Sequence, residues 1–335
     1  MSHRPVTSSD VARRARVSRA TVSYVLNGKV DSRISATTRA RVQAAAADLG
    51  YTPHAIARSL RTGRSNLILL PQPPFPPGPL LDAFMELIQA CLRELGYLVV
   101  VHGDRSGLDA DSARLWASMR PVGAIVWTDT LSADTLDILR NAGTRAFLGL
   151  GPEPSPLVPT LLTQIGAGVG ACAATHLAAR GYTEIGVIVP REAGIVRLGL
   201  RRLQGVSRVA CQHGLEVRRF DLANDLDSAA ELVDGWQRAG LPRAVFTYND
   251  EYGMLLMRAL QDAGVRVPED VALVGADNLP LCALLRPKLS SVALDIQASA
   301  QAIANRVHAS VIAEAPLDPT PITIDEPRIV VREST

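Results

Sequence analysis

Cysteine is sparse and dispersed in this chain of 335 residues: Cys91, Cys172, Cys211 and Cys282 form no C-x-x-C pair. That excludes a clustered thiolate zinc site and a disulfide framework, and the four are expected as buried thiols in a reducing compartment. His54, His102, His176, His213 and His308 are scattered, so no metal site is expected. There is no P-loop, no G-x-S-x-G elbow and no H-E-x-x-H, so no enzyme and no cofactor are expected. Gly166-Ala-Gly-Val-Gly170 looks faintly like a dinucleotide loop, but its spacing is not G-x-G-x-x-G. Met1-Ser-His-Arg-Pro lacks the apolar stretch of a signal peptide, and no apolar run reaches membrane-spanning length. A cytoplasmic protein with no membrane partner is the expectation.

What is present is a strong asymmetry of charge. Residues 1–65 hold twelve Lys and Arg against Asp10, Asp31 and Asp48, a balance of +9, whereas the remainder carries −7. The overall +2 therefore hides a basic head on an acidic body. Such segregation is expected where one part of a chain meets a polyanion.

Within the head, helical spacing gathers Val11, Ala12 and Ala15 on one apolar face and Val22, Val25 and Leu26 on another. Ser18 suits the N-cap of the second helix and Gly28 its stop. The solvent face of that helix then carries Arg19, Ala20, Ser23 and Tyr24. Two short helices with the second presented outward make a helix-turn-helix, in which the second helix reads base edges. A plain helical hairpin with a solvated face is the alternative on these residues alone. A third helix is expected from Ser35 or Thr37 to Leu49, burying Val42, Ala45 and Leu49 and stopping at Gly50.

Three runs carry a family resemblance: Val6-Thr-Ser-Ser-Asp-Val-Ala12; Val17-Ser-Arg-Ala-Thr-Val-Ser-Tyr-Val-Leu-Asn27; and, after Thr38-Arg39, Leu49-Gly-Tyr-Thr-Pro-His-Ala-Ile-Ala-Arg-Ser-Leu60. Together they resemble the lac repressor and purine repressor (LacI) family of bacterial transcription regulators. In the body, His176–Ile185, Val245–Asp250, Ala263–Asp277, Arg286–Val292 and Val331–Thr335 extend the likeness over nearly the whole chain. The resemblance implies that Thr7, Ser18, Thr21, Ser23, Asn27, Ser35, Thr38 and Arg39 contact DNA phosphates, and that Arg19, Ala20 and Tyr24 read bases. Short hydroxyls at helix starts fix register on the backbone, while Arg19 can take a guanine bidentately and Ala20 offers a methyl contact. Two departures stand out: Arg16 occupies a turn position where the family often has glycine, and the loop from Gly28 to Ile34 is longer than in the lac repressor.

Pro53 suits a first helical position, and Ala55 to Leu60 can form one short helix, marginal on its own. The resemblance implies that this hinge helix folds on operator DNA and pairs with its copy in the minor groove. Leu60 is then an apolar wedge, with Ala57 beside it and Arg61 near phosphate; unstacking a base step costs a few kcal/mol, offset by the contacts that bent DNA permits. An ordinary interdomain linker is the other reading.

From Asn66 onward short apolar runs alternate with amphipathic helices. Strands are expected at Leu67–Leu70, Leu98–Val101, Ala124–Trp127, Ala146–Leu150, Ile185–Val189, Ala244–Thr247 and Val271–Val274. Helices are expected between them, at Leu80–Leu95, Ala133–Ala142, Ala173–Arg180, Arg202–His213 and Glu251–Ala263. This alternation implies parallel sheets with helices on both faces. The expected fold is a three-helix helix-turn-helix head (1–52), a hinge helix (53–65) and two doubly wound α/β lobes of periplasmic-binding-protein type (66–335). The first lobe takes about 66–160 and 292–322, the second about 161–290 and 323–335.

The resemblance also implies effector contacts from Arg202, Asn249 and Asp277, whose forked donor, amide and carboxylate suit the hydroxyls of a sugar or nucleoside-like ring. On the first lobe it fails: Pro71-Gln-Pro-Pro-Phe-Pro-Pro-Gly-Pro79 is stiff and poor in donors, and no acid stands near Gln164 and Ile165. There Phe75 and Trp127 are candidate apolar walls, Trp127 being equally readable as core. The expected function is a homodimeric DNA-binding transcription regulator, a repressor on a pseudo-palindromic operator, tuned by a small-molecule effector. The rival is a solute-binding type of sensor whose cleft is degenerate or takes no sugar.

Overall fold

The computed structural model describes residues 6–26, 34–51, 65–73, 78–102, 108–151, 154–162, 166–313, 322–323 and 327–335. Asn27, Ala57, Leu60, Arg61 and Phe75 lie outside the described residues, as do Gln164 and Ile165. The chain divides into two compact units, Met1–Ser65 and Asn66–Thr335.

In the first unit, helices α1 (Ser8–Ala15), α2 (Arg19–Leu26) and α3 (Ala36–Asp48) enclose one small core. Val11, Ala15 and Val42 are fully buried, and Ala12, Val22, Val25, Ala45 and Ala46 complete it. Leu26 and Leu49, expected inside, only rest against its edge. Each helix starts where a hydroxyl can satisfy a first-turn amide. Ser18 Oγ accepts from Thr21 N at 3.1 Å and Ser35 Oγ from Thr38 N at 3.2 Å, while Thr7 donates to Asp10 through both its amide and its hydroxyl. Between α1 and α2, Arg16 adopts φ 51° and ψ 50°, the left-handed turn expected at the position where glycine is the easier residue.

The second unit is built on two six-stranded sheets. The first has the order β11-β5-β4-β3-β1-β2, from β1 (Leu67–Pro71), β2 (Leu98–His102), β3 (Gly123–Trp127), β4 (Ala146–Gly151), β5 (Thr160–Leu162) and β11 (Ile322–Thr323), all parallel. Helices α4 (Pro79–Glu94) and α11 (Ile296–Ala313) cover one face, and α5 (Ala110–Ser118) and α6 (Ala133–Asn141) the other. Ile68, Leu69 and Leu70 are therefore fully buried, as unbroken apolar strands of a two-sided parallel sheet must be.

The second sheet has the order β12-β10-β9-β8-β6-β7. Its strands are β6 (Glu184–Pro190), β7 (Glu216–Leu222), β8 (Ala244–Phe246), β9 (Ala272–Ala276), β10 (Ser290–Ala293) and an antiparallel β12 (Arg328–Val330). Here α7 (Ala167–Ala179) and α8 (Val196–His213) cover one face, α9 (Leu226–Ala239) and α10 (Asp250–Asp262) the other. The chain leaves the second sheet after Ala293 and packs α11 on the first, so the return to the first lobe begins a few residues later than the pattern suggested.

Strand β7 is missing from the expected set because Glu216-Val-Arg-Arg-Phe-Asp-Leu222 is an edge strand with charges at 216, 218, 219 and 221 and no unbroken apolar run. The cysteine expectation holds for Cys91 and Cys282, which are buried, but Cys172 is half-buried and Cys211 exposed on α8.

The glycine run at the start of α7 has a packing role. A Cβ on Gly170 would fall 1.8 Å from the carbonyl oxygen of Arg202, and one on Gly205 would fall 1.9 Å from that of Ala167. The two backbones touch, which places α8 and the Arg202 it carries. Gly205→Ala should therefore cost about 1–3 kcal/mol by overpacking. Gly235→Ala, at a mid-helix site with nothing within 4 Å, should stabilise by about 0.5–1 kcal/mol. Urea unfolding of both variants gives opposite signs if the contact has been read correctly.

Candidate nucleic-acid interface and ligand cleft

On the first unit α2 exposes the side chains singled out from the sequence. Arg19 and Ala20 are exposed, and Tyr24, one turn beyond Ala20, is 39% exposed. Ser18 at the helix start is exposed too, whereas Thr21 and Ser23 are half-buried. Ser18 and Thr21 share a hydroxyl contact of 2.9 Å, and Ser35 Oγ donates to Thr38 Oγ1 at 3.0 Å. Thr38 and Arg39 are half-buried. The hydroxyls thus sit at the open amide ends of helices, where an anion is favoured by both free N–H groups and the helix dipole. Arg13 and Arg14 reach Asp10 at 3.3 Å and Asp48 at 3.2 Å on the surface, which leaves the unit strongly cationic.

In the second unit, parallel doubly wound sheets open a crevice at the carboxyl ends of their strands. Arg202 comes from α8, Tyr248 and Asn249 follow β8, Asp277 follows β9, and Glu192 follows β6, so all five stand at that edge of the second sheet. Arg202 is 3% exposed. Its Nη1 donates to the Tyr248 carbonyl, its Nη2 to Asp277 Oδ1 at 3.2 Å, and its guanidinium lies 4.8 Å over the Tyr248 ring. The donor and the acceptor expected to meet a ligand are paired with each other.

Asn249 caps α10: its Oδ1 accepts from Tyr252 N at 3.1 Å, while its Nδ2 donates to Glu251 at 3.2 Å. Both ends of the amide are thereby engaged by neighbouring residues. Tyr252, almost fully buried, donates to Glu192 Oε2 at 2.5 Å, and the amide of Asn224 donates to Glu192 Oε1 at 2.7 Å. Burial alone would raise the Glu192 carboxyl, but these two donors outweigh it and hold the group below the usual carboxylate range. Burial pushes the Tyr248 phenol up to about 12, with the Arg202 guanidinium pulling against it.

The first lobe comes close at two points. A Cβ on Gly78, at the start of α4, would lie 3.5 Å from Glu251 Oε2, and Arg197 reaches across to Asp129 at 3.4 Å. Trp127, 9% exposed, donates through Nε1 to the Pro71 carbonyl at 3.0 Å, so it closes the end of the first sheet and belongs to its core. Sequence reasoning missed Glu192, Tyr248 and Tyr252. The Tyr-x-x-x-Tyr spacing was a signal for the last two, but the acid partner of Tyr252 lies sixty residues away and leaves no local pattern.

Arg202 and Asp277, 4% and 10% exposed in their side chains, form a pair whose members cannot be removed singly at low cost. Arg202→Met should destabilise the unit by about 3–5 kcal/mol through the stranded carboxylate. Adding Asp277→Asn to that variant should recover at least half of the loss in urea unfolding; a double variant no better than the single contradicts the pairing.

Residues 7–54 match the profile of bacterial regulatory proteins of the lacI family, and residues 174–335 match the periplasmic binding protein-like domain. The HTH-type transcriptional repressor PurR of Photobacterium profundum is 29% identical over 297 residues, covering 85% of this chain and 86% of the relative. The HTH-type transcriptional regulator DegA of Bacillus subtilis is 28% identical over 303 residues, covering 87% of each. Among solved structures, the lac repressor dimer bound to operator and the anti-inducer ONPF aligns at a TM-score of 0.78 and 25% identity, covering 99% of both chains. A CelR–cellobiose complex aligns at 0.67 and 27% identity, over 99% of this chain and 100% of that one. The chain thus carries a lacI-type helix-turn-helix domain at its head and a periplasmic binding protein-like domain in its body, and along nearly all of its length it is similar to lacI-family regulators.

Proposed function

We propose that this regulator is a repressor that grips a pseudo-palindromic operator as a homodimer and is tuned by a small molecule in the crevice between its lobes. The observation that carries the reading is α2: its outer face exposes Arg19, Ala20 and Tyr24 on a unit of charge +9. Arg19 reads a guanine edge, Ala20 gives a methyl contact, and Tyr24 completes the base-reading set. Thr7, Ser18, Thr21, Ser23, Asn27, Ser35, Thr38 and Arg39 take the phosphates. Ala57, Leu60 and Arg61 form the minor-groove element in this proposal, on the strength of the family likeness alone.

Support for pairing comes from exposed apolar side chains in the second unit. Leu98 and Val101 lie on the open edge strand β2, and Leu281 and Leu284 lie in the turn after β9, at 54%, 37%, 53% and 72% exposure. A two-fold pair of such surfaces would present two heads to two half-sites. A ligand that binds one lobe arrangement better than another shifts that arrangement and thereby the spacing of the heads. Cellobiose in the CelR structure and ONPF on the lac repressor support a sugar-like effector in the crevice of this chain.

Two measurements test the reading. In gel shifts on the chain's own upstream region, six to ten phosphate contacts predict a loss of roughly 10³–10⁵ in affinity between about 50 and 200 mM salt. Arg19→Ala should cost about 1–3 kcal/mol on the specific site and leave nonspecific binding close to unchanged. A flat salt response, or equal loss on both DNAs, sinks the assignment. For the crevice, thermal shift against cellobiose, other sugars, nucleosides and phosphorylated metabolites should yield at least one stabilising compound, as ligand binding to the folded state requires. Silence across the panel favours a cleft that binds nothing.

A further inference from the structure

Asp250 has no solvent exposure, yet it carries no role in the contacts described so far. It is the first residue of α10, directly after the cap Asn249. Its Oδ2 accepts from the amide of Leu279 at 2.7 Å, and its Oδ1 accepts from Ser291 Oγ at 2.6 Å. Ser291 in turn accepts from the amide of Asn278 at 2.9 Å. One carboxylate, directly and through one hydroxyl, thus holds two consecutive amides of the turn that follows β9.

That turn is unusual. Asp277 and Asn278 have φ of 96° and 52°, a region in which side chains other than glycine's are strained and which persists only where surrounding contacts impose it. The amide of Asp277 is fixed to the Val292 carbonyl at 2.8 Å, and Arg332 holds the Asn278 side chain at 2.6 Å. Space is reserved for the carboxylate as well. A Cβ on Gly275 would come within 2.1 Å of Asp250 Oδ1, so only glycine fits opposite it.

We propose that Asp250 is the positioning residue of the ligand crevice: by fixing the turn 277–279 it aims the Asp277 carboxylate at Arg202. This rests on the crevice being the effector site. Without the Asp250 contacts the Leu279 amide loses its acceptor and the Ser291 hydroxyl that receives the Asn278 amide loses its anchor, the turn relaxes toward negative φ, and Asp277 swings away from the guanidinium. The Arg202 fork then loses its carboxylate acceptor and becomes more mobile. Burial pushes the Asp250 carboxyl up to about 6, against the pull of its Ser291 and Leu279 donors, so the protonated form lies within reach of the fold. An asparagine imitates that form, with its oxygen accepting from Leu279 and its amide donating to Ser291.

The test uses the full-length protein with isotope-labelled arginine, the Arg202 side-chain resonances being assigned by their loss in Arg202→Met. In wild type, Arg202 should show resolved Nη signals, the mark of a guanidinium whose rotation is blocked. Asp250→Ala should abolish that resolution, and Asp250→Asn should restore it. A lower melting temperature with the Arg202 signals unchanged in Asp250→Ala overturns the proposal, because a merely structural residue would behave that way. Where Asp250→Ala fails to fold, Ser291→Ala decides: broadened Arg202 signals support the proposal and wild-type signals overturn it. Titrating cellobiose and the rest of the thermal-shift panel into wild type separates the underlying reading. If no compound moves the Arg202 signals, the effector assignment of the crevice fails, while the comparison of Asp250 variants still stands.

Discussion

A guanidinium keeps its charge at any pH a fold survives, so placing Arg202 at 3% exposure obliges the second lobe to neutralise it. Much of the arrangement at the carboxyl edge of the second sheet follows from that obligation. The Tyr248 carbonyl and ring and the Asp277 carboxylate surround the fork, and they arrive there from the ends of two adjacent strands, β8 and β9. Behind them, the close approach of α7 and α8 at Gly170 and Gly205 fixes where the arginine starts. The ion pair therefore ties α8 to the ends of both strands. A site of this kind suits a sensor, since a ligand that competes for either partner alters a contact shared by three elements.

The head works on the opposite principle. Its core is small, made of alanines and valines, and its polar groups are arranged outward. Ser18 and Ser35 satisfy one amide each at the starts of α2 and α3, and the remaining first-turn amides stay open to an anion. The same residues that start the helices thus leave a surface suited to phosphate, and α2 displays Arg19, Ala20 and Tyr24 outward. Arg16 at φ 51° shows that the turn geometry is kept even where the residue is not glycine. The chain accepts local strain to preserve the angle between α1 and α2.

Much of this was legible beforehand, for reasons that differ by element. Apolar runs such as Leu67-Ile-Leu-Leu70 announce buried parallel strands because both faces are covered and no polar residue is tolerated. Strand β7, with four charges in seven residues, gives no such signal, and neither do helices α5, α9 and α11. The candidate cleft residues Arg202, Asn249 and Asp277 were found through family likeness and do gather at one sheet edge, but as a cap and a mutual pair. The hydrogen-bond partners of Arg202 lie 46 and 75 positions away, which no local spacing encodes.

What the sequence alone determined is the order of parts, a basic helical head followed by an alternating α/β body, because charge segregation and hydrophobic period are local properties of the chain. What only the tertiary structure decided is which polar groups are occupied. Tyr252 meets Glu192, Asp250 meets Leu279 and Ser291, and Trp127 meets the Pro71 carbonyl. Those contacts arise when strand ends distant in sequence are stacked side by side, and a buried polar atom takes the partner that this stacking supplies.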